Sequence, residues 1–381
     1  MEKSKDLKGL FCVKPFVHFD ISLDNRAVCC CESWLPGTYN GCIEDMTLEE
    51  MWNSEQMQGL RQSVLDGTYT YCSKEKCPYL TSEAFPLYTR EELQKVVDAE
   101  AGSIELEDSL KLVEDFGPWI RRMFEGKTVM DIFPATYNLV YDETCNLRCP
   151  SCRPDNIVYT HGGEYERRLA AHKKLFSDIE KNGYENVRGF YVTGAGDPFA
   201  SSIYRSLLYN FDGSKYPQLK FYIMTNGIML TPEAWEKMSK IHSNIESIFI
   251  TMDAATSDTY KKTRVNGDFD RLLKNMEFLG KKRKENKLKK LYLAFIVQKK
   301  NYREMVDAIA IAKRLNADQL AFSSLDDWQS WDIEEYKKNA VCSPDHEEYA
   351  QLLEILRSPE FDDPVVGLGN ITPHRRKALG S

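Results

Sequence analysis

The segment Asp142–Pro154, with the sequence DETCNLRCPSCRP, decides the fold of this 381-residue chain. Its three cysteines, Cys145, Cys149 and Cys152, are spaced C-x3-C-x2-C and come directly after an apolar run at 137–141 that predicts a strand. Three thiolates on so short a loop can ligate three irons of a cubane cluster and leave its fourth iron open. A zinc ion is the alternative, but zinc needs a fourth ligand that this loop does not supply.

Beyond this loop, apolar strands alternate with helical stretches. The strands are predicted at 137–141, 189–192, 220–224, 247–252, 291–297 and 319–322, and the helices at 163–181, 200–210, 232–241, 269–285 and 301–315. Such alternation predicts an α/β fold with a parallel sheet and right-handed crossovers. Six strand–helix units are too few for a closed eightfold barrel, so the pattern favours a partial (β/α)6 barrel or an open doubly wound sheet. In both folds, ligands bind at the carboxyl ends of the strands.

Glycine-rich or polar segments follow three of these strands. Gly194, Gly196 and Asp197 follow the second strand, Asn226 follows the third, and Asp253 and Arg264 follow the fourth. The glycines allow the backbone to approach a ligand closely. Simpler explanations stay open, because a plain turn accounts for Asn226-Gly227 and Asp253 with Arg264 can be a structural ion pair.

Taken with the cysteine loop, the order of these motifs over about residues 135–325 resembles the radical S-adenosylmethionine (SAM) superfamily. The resemblance implies a [4Fe–4S] cluster on Cys145, Cys149 and Cys152, with SAM chelated at the open iron. One-electron reduction of SAM then releases methionine and a 5′-deoxyadenosyl radical that abstracts a hydrogen atom. The six residues that follow the strands would bind SAM. Ser151 departs from the pattern, since many members have an aromatic residue there.

The N-terminal region is rich in cysteine: seven of the eleven cysteines lie within residues 12–77. Two short strands are predicted around the turn at 23–25. A helix is predicted to begin after Thr47, because Glu50 completes a capping box with it. The hairpin ends and the returning helix bring distant thiols together, so four thiolates could close a cluster or a zinc site.

This region resembles the twitch or SPASM-type modules that carry auxiliary clusters. The resemblance implies one auxiliary [4Fe–4S] cluster, with Cys12, Cys30, Cys72 and Cys77 as its ligands. The alternatives Cys29, Cys31 and Cys42 stay open. We expect Cys29 and Cys31 to face away from Cys30, because side chains alternate along a strand. A zinc ion in a small ribbon is also a possible occupant.

The predicted organisation has four parts. Residues 1–90 form a small Cys-rich α+β auxiliary-cluster domain, 91–134 a helical linker, 135–325 the radical SAM partial barrel, and 326–381 a C-terminal extension that covers the barrel. Cys342 lies in the extension, where a buried structural thiol is the simpler interpretation. A hydrogen-atom donor is the alternative interpretation of Cys342.

Composition excludes some classes of function. The net charge of −8 argues against nucleic acid as a partner. No apolar run is long enough to span a membrane, and no secretory signal is visible. With an odd number of cysteines, these features predict a reducing compartment and hence a cytoplasmic protein.

The sequence therefore predicts a radical SAM oxidoreductase that dehydrogenates a small polar molecule such as a sugar or aminocyclitol. Its partners would be that substrate and an external reductant such as flavodoxin or ferredoxin. A radical SAM epimerase is one alternative, and it would return a hydrogen atom from Cys342 or a tyrosine. An enzyme that modifies a ribosomal peptide is the second. A non-enzymatic interaction protein that carries zinc or an Fe–S cluster is the third.

Overall fold

The computed structural model describes residues 7–81, 86–99, 106–192, 195–328 and 330–380. It divides into two compact units. Unit 1 comprises residues 1–141 and 161–191, and unit 2 comprises 142–160 and 192–381. The three-cysteine loop therefore belongs to unit 2, and the N-terminal cysteines belong to unit 1.

Unit 1 combines short strands with helices, and one of its helices is long. Its elements are β1 (Leu10–Phe11), α1 (Lys14–Val17), β2 (His18–Ile21), β3 (Ala27–Val28), α2 (Leu48–Trp52), α3 (Glu55–Leu65), α4 (Pro78–Thr81), β4 (Tyr88–Thr89), α5 (Arg90–Ala99), α6 (Gly117–Phe124), β5 (Thr136–Leu139), α7 (Gly163–Asn182) and β6 (Gly189–Val192). The sheet order is β6-β5-β2-β3, and β1 pairs separately with β4. The predicted hairpin is confirmed as β2 and β3, which are antiparallel.

Unit 2 consists of parallel strands that alternate with helices. Its elements are α8 (Ser202–Asn210), β7 (Lys220–Thr225), α9 (Pro232–Lys237), β8 (Ile245–Thr251), α10 (Ser257–Thr263), α11 (Phe269–Lys284), β9 (Leu291–Val297), α12 (Met305–Arg314), β10 (Gln319–Ser324), α13 (Ile333–Asn339), α14 (Tyr349–Leu356), β11 (Val366–Gly367) and α15 (Thr372–Leu379). The sheet order is β7-β8-β9-β10-β11, and each neighbouring pair is parallel. The carboxyl ends of these strands therefore meet at one edge.

The predicted α/β class, with parallel strands that alternate with helices, is confirmed. All six predicted strands are present as β5 to β10, and their ends shift by no more than two residues. The capping box of α2 is also present: Thr47 Oγ1 accepts from Glu50 N, and Thr47 N donates to Glu50 Oε2 at 2.7 Å. The proposed domain boundaries stay a prediction.

One pairing was not anticipated from the sequence. β2 runs parallel to β5, with His18 opposite Thr136. The N-terminal hairpin therefore extends the strand layer of unit 1 rather than standing apart from β5. Short strands of four residues give too little periodicity for such a partner to be predicted.

Asp318, in the turn before β10, binds both the end of α11 and the start of β9. Its carboxylate accepts from Arg283 Nε at 2.7 Å and Nη2 at 2.8 Å, and from Leu291 N at 2.8 Å. Burial acts to raise the pKa of Asp318, but these donors outweigh it and lower the pKa to about 2. A carboxylate with a depressed pKa stabilises the fold above its unfolded pKa, and this stabilisation disappears as the pH falls through the folded value.

We expect Asp318→Asn to lower the free energy of unfolding at pH 7 by roughly 1–3 kcal/mol, because a charge-assisted bidentate pair is lost. The difference from the wild type should shrink as the pH falls from about 4 towards 2. Urea unfolding over that pH series measures it, with the exposed Asp345→Asn as the matched control. A difference that does not change with pH would contradict the assignment of the effect to the Asp318 carboxylate.

Candidate functional site

The three-cysteine loop of unit 2 is held by buried polar contacts at its start and middle. Asp142, at the start of the loop, accepts from Ser201 Oγ at 2.6 Å. Cys145 N donates to Ile157 O at 2.8 Å, and Cys152 N donates to Cys149 O at 2.9 Å. Cys145 and Cys149 are buried and Cys152 is exposed. The backbone thus fixes the loop from which the three predicted iron ligands project.

Gly196 lets the turn after β6 pack directly against the cysteine loop. A Cβ at this position would lie 2.6 Å from both Asp142 O and Thr144 O. Only glycine fits so close to backbone atoms. Asp197 N, the next donor along the turn, binds Thr144 O at 2.8 Å. Gly196 therefore joins two loops, and its contact with SAM stays a prediction. Gly194, in the same turn, lies outside the described residues.

The carboxylate of Asp197 links this turn to the end of β7. One oxygen accepts from Thr225 Oγ1 at 2.7 Å and from Asn226 N at 2.8 Å. The other accepts from the backbone N–H groups of Phe199 and Ala200. Burial raises the pKa of Asp197, and these donors oppose that rise. The carboxylate therefore holds two strand-end segments together.

Asn226, which follows β7, faces the first cysteine of the loop. Its Nδ2 lies 3.7 Å from Cys145 Sγ and donates to Asn146 Oδ1 at 2.9 Å. Leu147 N also approaches the same sulfur, at 3.4 Å. Hydrogen bonds to a ligating sulfur are one means by which a protein tunes an iron–sulfur cluster. The placement of Asn226 after β7 therefore fits a cluster on this loop.

Asp253 and Arg264, predicted to follow β8, form an ion pair beside the second cysteine. Arg264 Nη2 lies 2.6 Å from Asp253 Oδ2, and Arg264 Nη1 lies 3.3 Å from Cys149 Sγ. Burial acts to lower the pKa of Arg264, but Asp253 and Cys149 raise it more, so the guanidinium stays charged. The predicted ion pair is present, and it touches a predicted iron ligand. SAM binding by the pair stays a prediction.

Two residues, Asn301 and Glu304, hold the segment after β8 in place through hydrogen bonds that the sequence did not predict. Asn301 Nδ2 donates to Asp253 O at 3.0 Å and to Ile296 O at 2.8 Å. Glu304 accepts from Ala255 N at 2.6 Å and from Thr256 Oγ1 at 2.6 Å. Both residues precede α12 and lie about 48 residues from their partners after β8 in the sequence. No pattern of neighbouring residues could therefore predict these contacts.

Three buried donor atoms around Asp253 have no hydrogen-bond partner in the described part of the chain. They are Tyr260 Oη, Arg264 Nε and Gln298 Nε2. Buried polar atoms are nearly always paired, so such atoms are expected to meet a ligand or water. All three can donate, which fits the carboxylate and hydroxyl oxygens of SAM. Tyr260 and Gln298 were not in the predicted site.

Burial also affects the cysteines of the loop. Burial, followed by the charge of Asp197, raises the pKa of the Cys145 thiol to about 11. Burial raises the pKa of Cys149, against the opposing effect of Arg264. Iron binds thiolates, so formation of a cluster here must release these protons.

In unit 1, the four predicted auxiliary ligands Cys12, Cys30, Cys72 and Cys77 line a single pocket. Burial is the largest cause of the raised pKa of Cys12, Cys72 and Cys77. The pKa of Cys30 is raised first by a hydrogen bond with Cys29 and second by burial. Cys12 is held by Tyr69, whose Oη accepts from Cys12 N at 3.1 Å and donates to Leu10 O at 2.7 Å. The structure therefore brings together thiols that lie 65 residues apart in the sequence.

Cys29 lines the same pocket as Cys30, which corrects one expectation. Strand β3 ends at Val28, so side chains no longer alternate at Cys29 and Cys30. Cys31 and Cys42 are not among the residues that line this pocket. Cys31 Sγ lies 3.1 Å from Ser33 Oγ, and Cys42 Sγ lies 3.8 Å from Asp24 O.

Lys14 also lines the thiol pocket. Burial acts to lower the pKa of Lys14, but Asp20 and the neighbouring cysteines raise it more. A cation beside four thiolates offsets part of the negative charge of a cluster.

Within the described ranges, no group of three or more His, Cys, Asp or Glu side chains has the spacing to hold a single metal ion.

Cys342 is buried, and burial raises the pKa of its thiol to about 12. The nearby Asn339 O accepts from Lys299 N at 2.9 Å, just beyond the end of β9. The role of Cys342 as a hydrogen-atom donor stays a prediction.

None of the helices in the described ranges is both long and apolar enough to cross a membrane.

Comparison with known proteins agrees with this geometry. Residues 140–312 match the family model of the radical SAM superfamily. Residues 140–312 therefore form a radical SAM domain, and the enzymes of that superfamily use a [4Fe–4S] cluster and SAM. No curated protein matched the sequence.

Solved structures with similar folds include SuiB of Streptococcus suis. In complex with SAM, SuiB is 15% identical with a TM-score of 0.43, over 70% of this chain and 56% of that chain. In complex with its precursor peptide SuiA, it is 14% identical with a TM-score of 0.41, over 62% and 52%. HydG, a maturase of the [FeFe]-hydrogenase, is 14% identical with a TM-score of 0.36, over 71% and 62%. This chain thus spans about half the length of SuiB.

Proposed function

We propose that this chain is a radical SAM oxidoreductase with a second iron–sulfur centre in unit 1. The observation that carries the proposal is the pocket lined by Cys12, Cys30, Cys72 and Cys77. Four thiolates complete the coordination of a [4Fe–4S] cluster. A cluster closed in this way serves electron transfer rather than SAM binding.

When bound, SAM and the cluster on Cys145, Cys149 and Cys152 supply a 5′-deoxyadenosyl radical after one-electron reduction by an external donor such as flavodoxin or ferredoxin. The residues around that site position SAM. Asn226, Tyr260 and Gln298 offer N–H or O–H donors at the strand ends. Gly196 and Asp197 keep the turn after β6 against the cysteine loop.

The proposed reaction is dehydrogenation of a small polar molecule such as a sugar or aminocyclitol. The substrate carbon loses one hydrogen atom to the 5′-deoxyadenosyl radical, which becomes 5′-deoxyadenosine. The resulting radical then loses one proton to solvent and one electron to the second centre, so an alcohol becomes a carbonyl. The proton and electron together account for the second hydrogen. Lys14 supports electron uptake by offsetting negative charge in the thiol pocket. We propose a reducing, cytoplasmic setting, because the cysteines must stay free to bind iron.

Deuterium tracing tests this proposal. The reconstituted protein is incubated anaerobically with SAM, reductant and candidate alcohols deuterated at the reacting carbon. We expect one deuterium in 5′-deoxyadenosine and a product two mass units lighter than the unlabelled substrate, since two hydrogens are lost. Deuterium transfer with a product that has the mass of the unlabelled substrate would contradict dehydrogenation and indicate epimerisation.

Substitution of Cys342 distinguishes dehydrogenation from epimerisation. Its raised pKa of about 12 keeps the thiol protonated, as a hydrogen-atom donor must be. In a dehydrogenase, Cys342→Ala should keep full turnover. In an epimerase, it should stop product formation while deoxyadenosine still forms. Cys31→Ala, also a free cysteine, is the matched control.

A further inference from the structure

Arg264 contacts the sulfur of Cys149 directly. Arg264 Nη1 donates to Cys149 Sγ at 3.3 Å, while Nη2 is held by Asp253 at 2.6 Å. The side chains of Arg264 and Asp253 are only 12% and 4% exposed. The guanidinium is therefore directed at a thiolate that would ligate iron, and it is shielded from water.

Asp253 is itself held rigidly. Its φ of 52° lies in the left-handed region, which few residues other than glycine adopt. Its Oδ1 accepts from Ile296 N at 2.8 Å, and its carbonyl accepts from Asn301 Nδ2 at 3.0 Å. The carboxylate therefore cannot follow a displaced arginine.

The backbones on either side are also tied together. Arg148 N, next to Cys149, donates to Val265 O, next to Arg264, at 3.0 Å. This contact fixes the distance between the cysteine loop and the segment after α10. The backbone segments that carry the sulfur and the guanidinium are therefore hydrogen-bonded to each other.

We propose that Asp253 and Arg264 act as a positioning pair that holds an N–H donor on the Cys149 sulfur and raises the reduction potential of the radical SAM cluster. The inference rests on the cluster that the superfamily uses and is independent of the substrate. Reduction adds negative charge, part of which resides on the sulfurs. A fixed, desolvated donor stabilises that charge more in the reduced cluster than in the oxidised one.

Arg153 provides an internal comparison. Its Nη2 lies 3.7 Å from Cys152 Sγ, and Nη1 donates to Glu143 O at 2.7 Å. The longer contact is to the exposed cysteine of the loop. A smaller effect is therefore expected from Arg153 than from Arg264, since solvent screens it.

The test is a potentiometric titration of the reconstituted protein without SAM, followed by electron paramagnetic resonance. The radical SAM cluster is the one whose signal changes when SAM is then added, because its open iron binds SAM. The variants are Arg264→Met with Asp253→Asn, which avoids an unpaired buried carboxylate, and Arg264→Lys. The controls are Arg153→Met and the exposed Arg271→Met.

We expect the double variant to disfavour reduction about tenfold, a shift of about 59 mV to lower potential. Arg264→Lys should lie between it and the wild type, because an ammonium cannot make both contacts at once. Arg153→Met should shift less, and Arg271→Met not at all. A fully iron-loaded double variant with the potential of Arg271→Met would overturn the inference. If the double variant loads no iron, Arg264→Lys decides, and a wild-type potential there overturns it.

A wild-type protein that binds no cluster would instead contradict the superfamily assignment of the site. If the potential shifts as expected but no deuterium is transferred from any alcohol, only the proposed reaction fails. The two results are therefore distinguishable.

Discussion

Cys149→Ala should abolish the reductive cleavage of SAM. The other two cysteines of the loop cannot hold a cubane with one open iron, because three protein thiolates are needed. Iron bound per chain should fall by about four, the content of one cluster. Formation of 5′-deoxyadenosine should fall by more than about a thousandfold, since enzymes typically accelerate reactions at least a millionfold. Chromatography of anaerobic assays with dithionite measures the nucleoside.

Cys31→Ala is the control for this experiment, because Cys31 is half-buried in unit 1 and contacts Ser33. It should keep both the iron and the nucleoside. Circular dichroism should show that Cys149→Ala remains folded. Continued SAM cleavage in Cys149→Ala would refute the enzymatic proposal for this site. The non-enzymatic alternative instead predicts zinc in the wild type and no deoxyadenosine.

Cys72→Ala should remove the second centre and leave the first intact. The wild type should bind about eight irons, four in each of two clusters, and the variant about four. Deoxyadenosine should still form, because the loop at 145–152 is unchanged. Oxidised product should disappear, since the substrate radical has no electron acceptor. Iron and sulfide analysis, together with product mass spectrometry, measures both effects.

Variants of two other cysteines, Cys42 and Cys29, serve as controls for the Cys72→Ala experiment. Cys42→Ala removes a thiol that is not among those that line the pocket, and it should keep about eight irons in two clusters. Cys29→Ala removes the fifth thiol of the pocket. If Cys30 is the ligand, Cys29→Ala also keeps both clusters. A wild type with about four irons and one zinc would replace the auxiliary cluster with a zinc site.

Much of the fold could be predicted because its signals are local. Strand and helix positions follow from the period of apolar residues over short windows. The capping box at Thr47 depends on a residue only three positions away. The parallel pairing of β2 with β5 had no such signal, because the two strands are more than a hundred residues apart in the sequence. Each strand is also too short for its alternation of apolar residues to suggest a partner.

The candidate site shows the same division. The positions of Asp197, Asn226 and Asp253 at strand ends were predictable, because parallel strands bring their carboxyl ends to one edge. The partners of these residues were not. Asp197 uses four acceptor contacts within the chain, and Asn301 braces Asp253 from 48 residues away. Tyr260 and Gln298 also follow strands in the sequence, but only the structure showed that each has a buried polar atom without a partner in the described part of the chain.

The sequence alone determined the three-cysteine loop, its place after β5 and the strand–helix order, because spacing and periodicity are properties of neighbouring residues. Only the tertiary structure decided which thiols share a pocket, so that Cys29 joins Cys30 while Cys31 does not line it. It also decided that Arg264 meets Cys149, across 115 positions of sequence. Such contacts depend on how distant segments pack, and side-chain direction at the end of a strand is set by that packing.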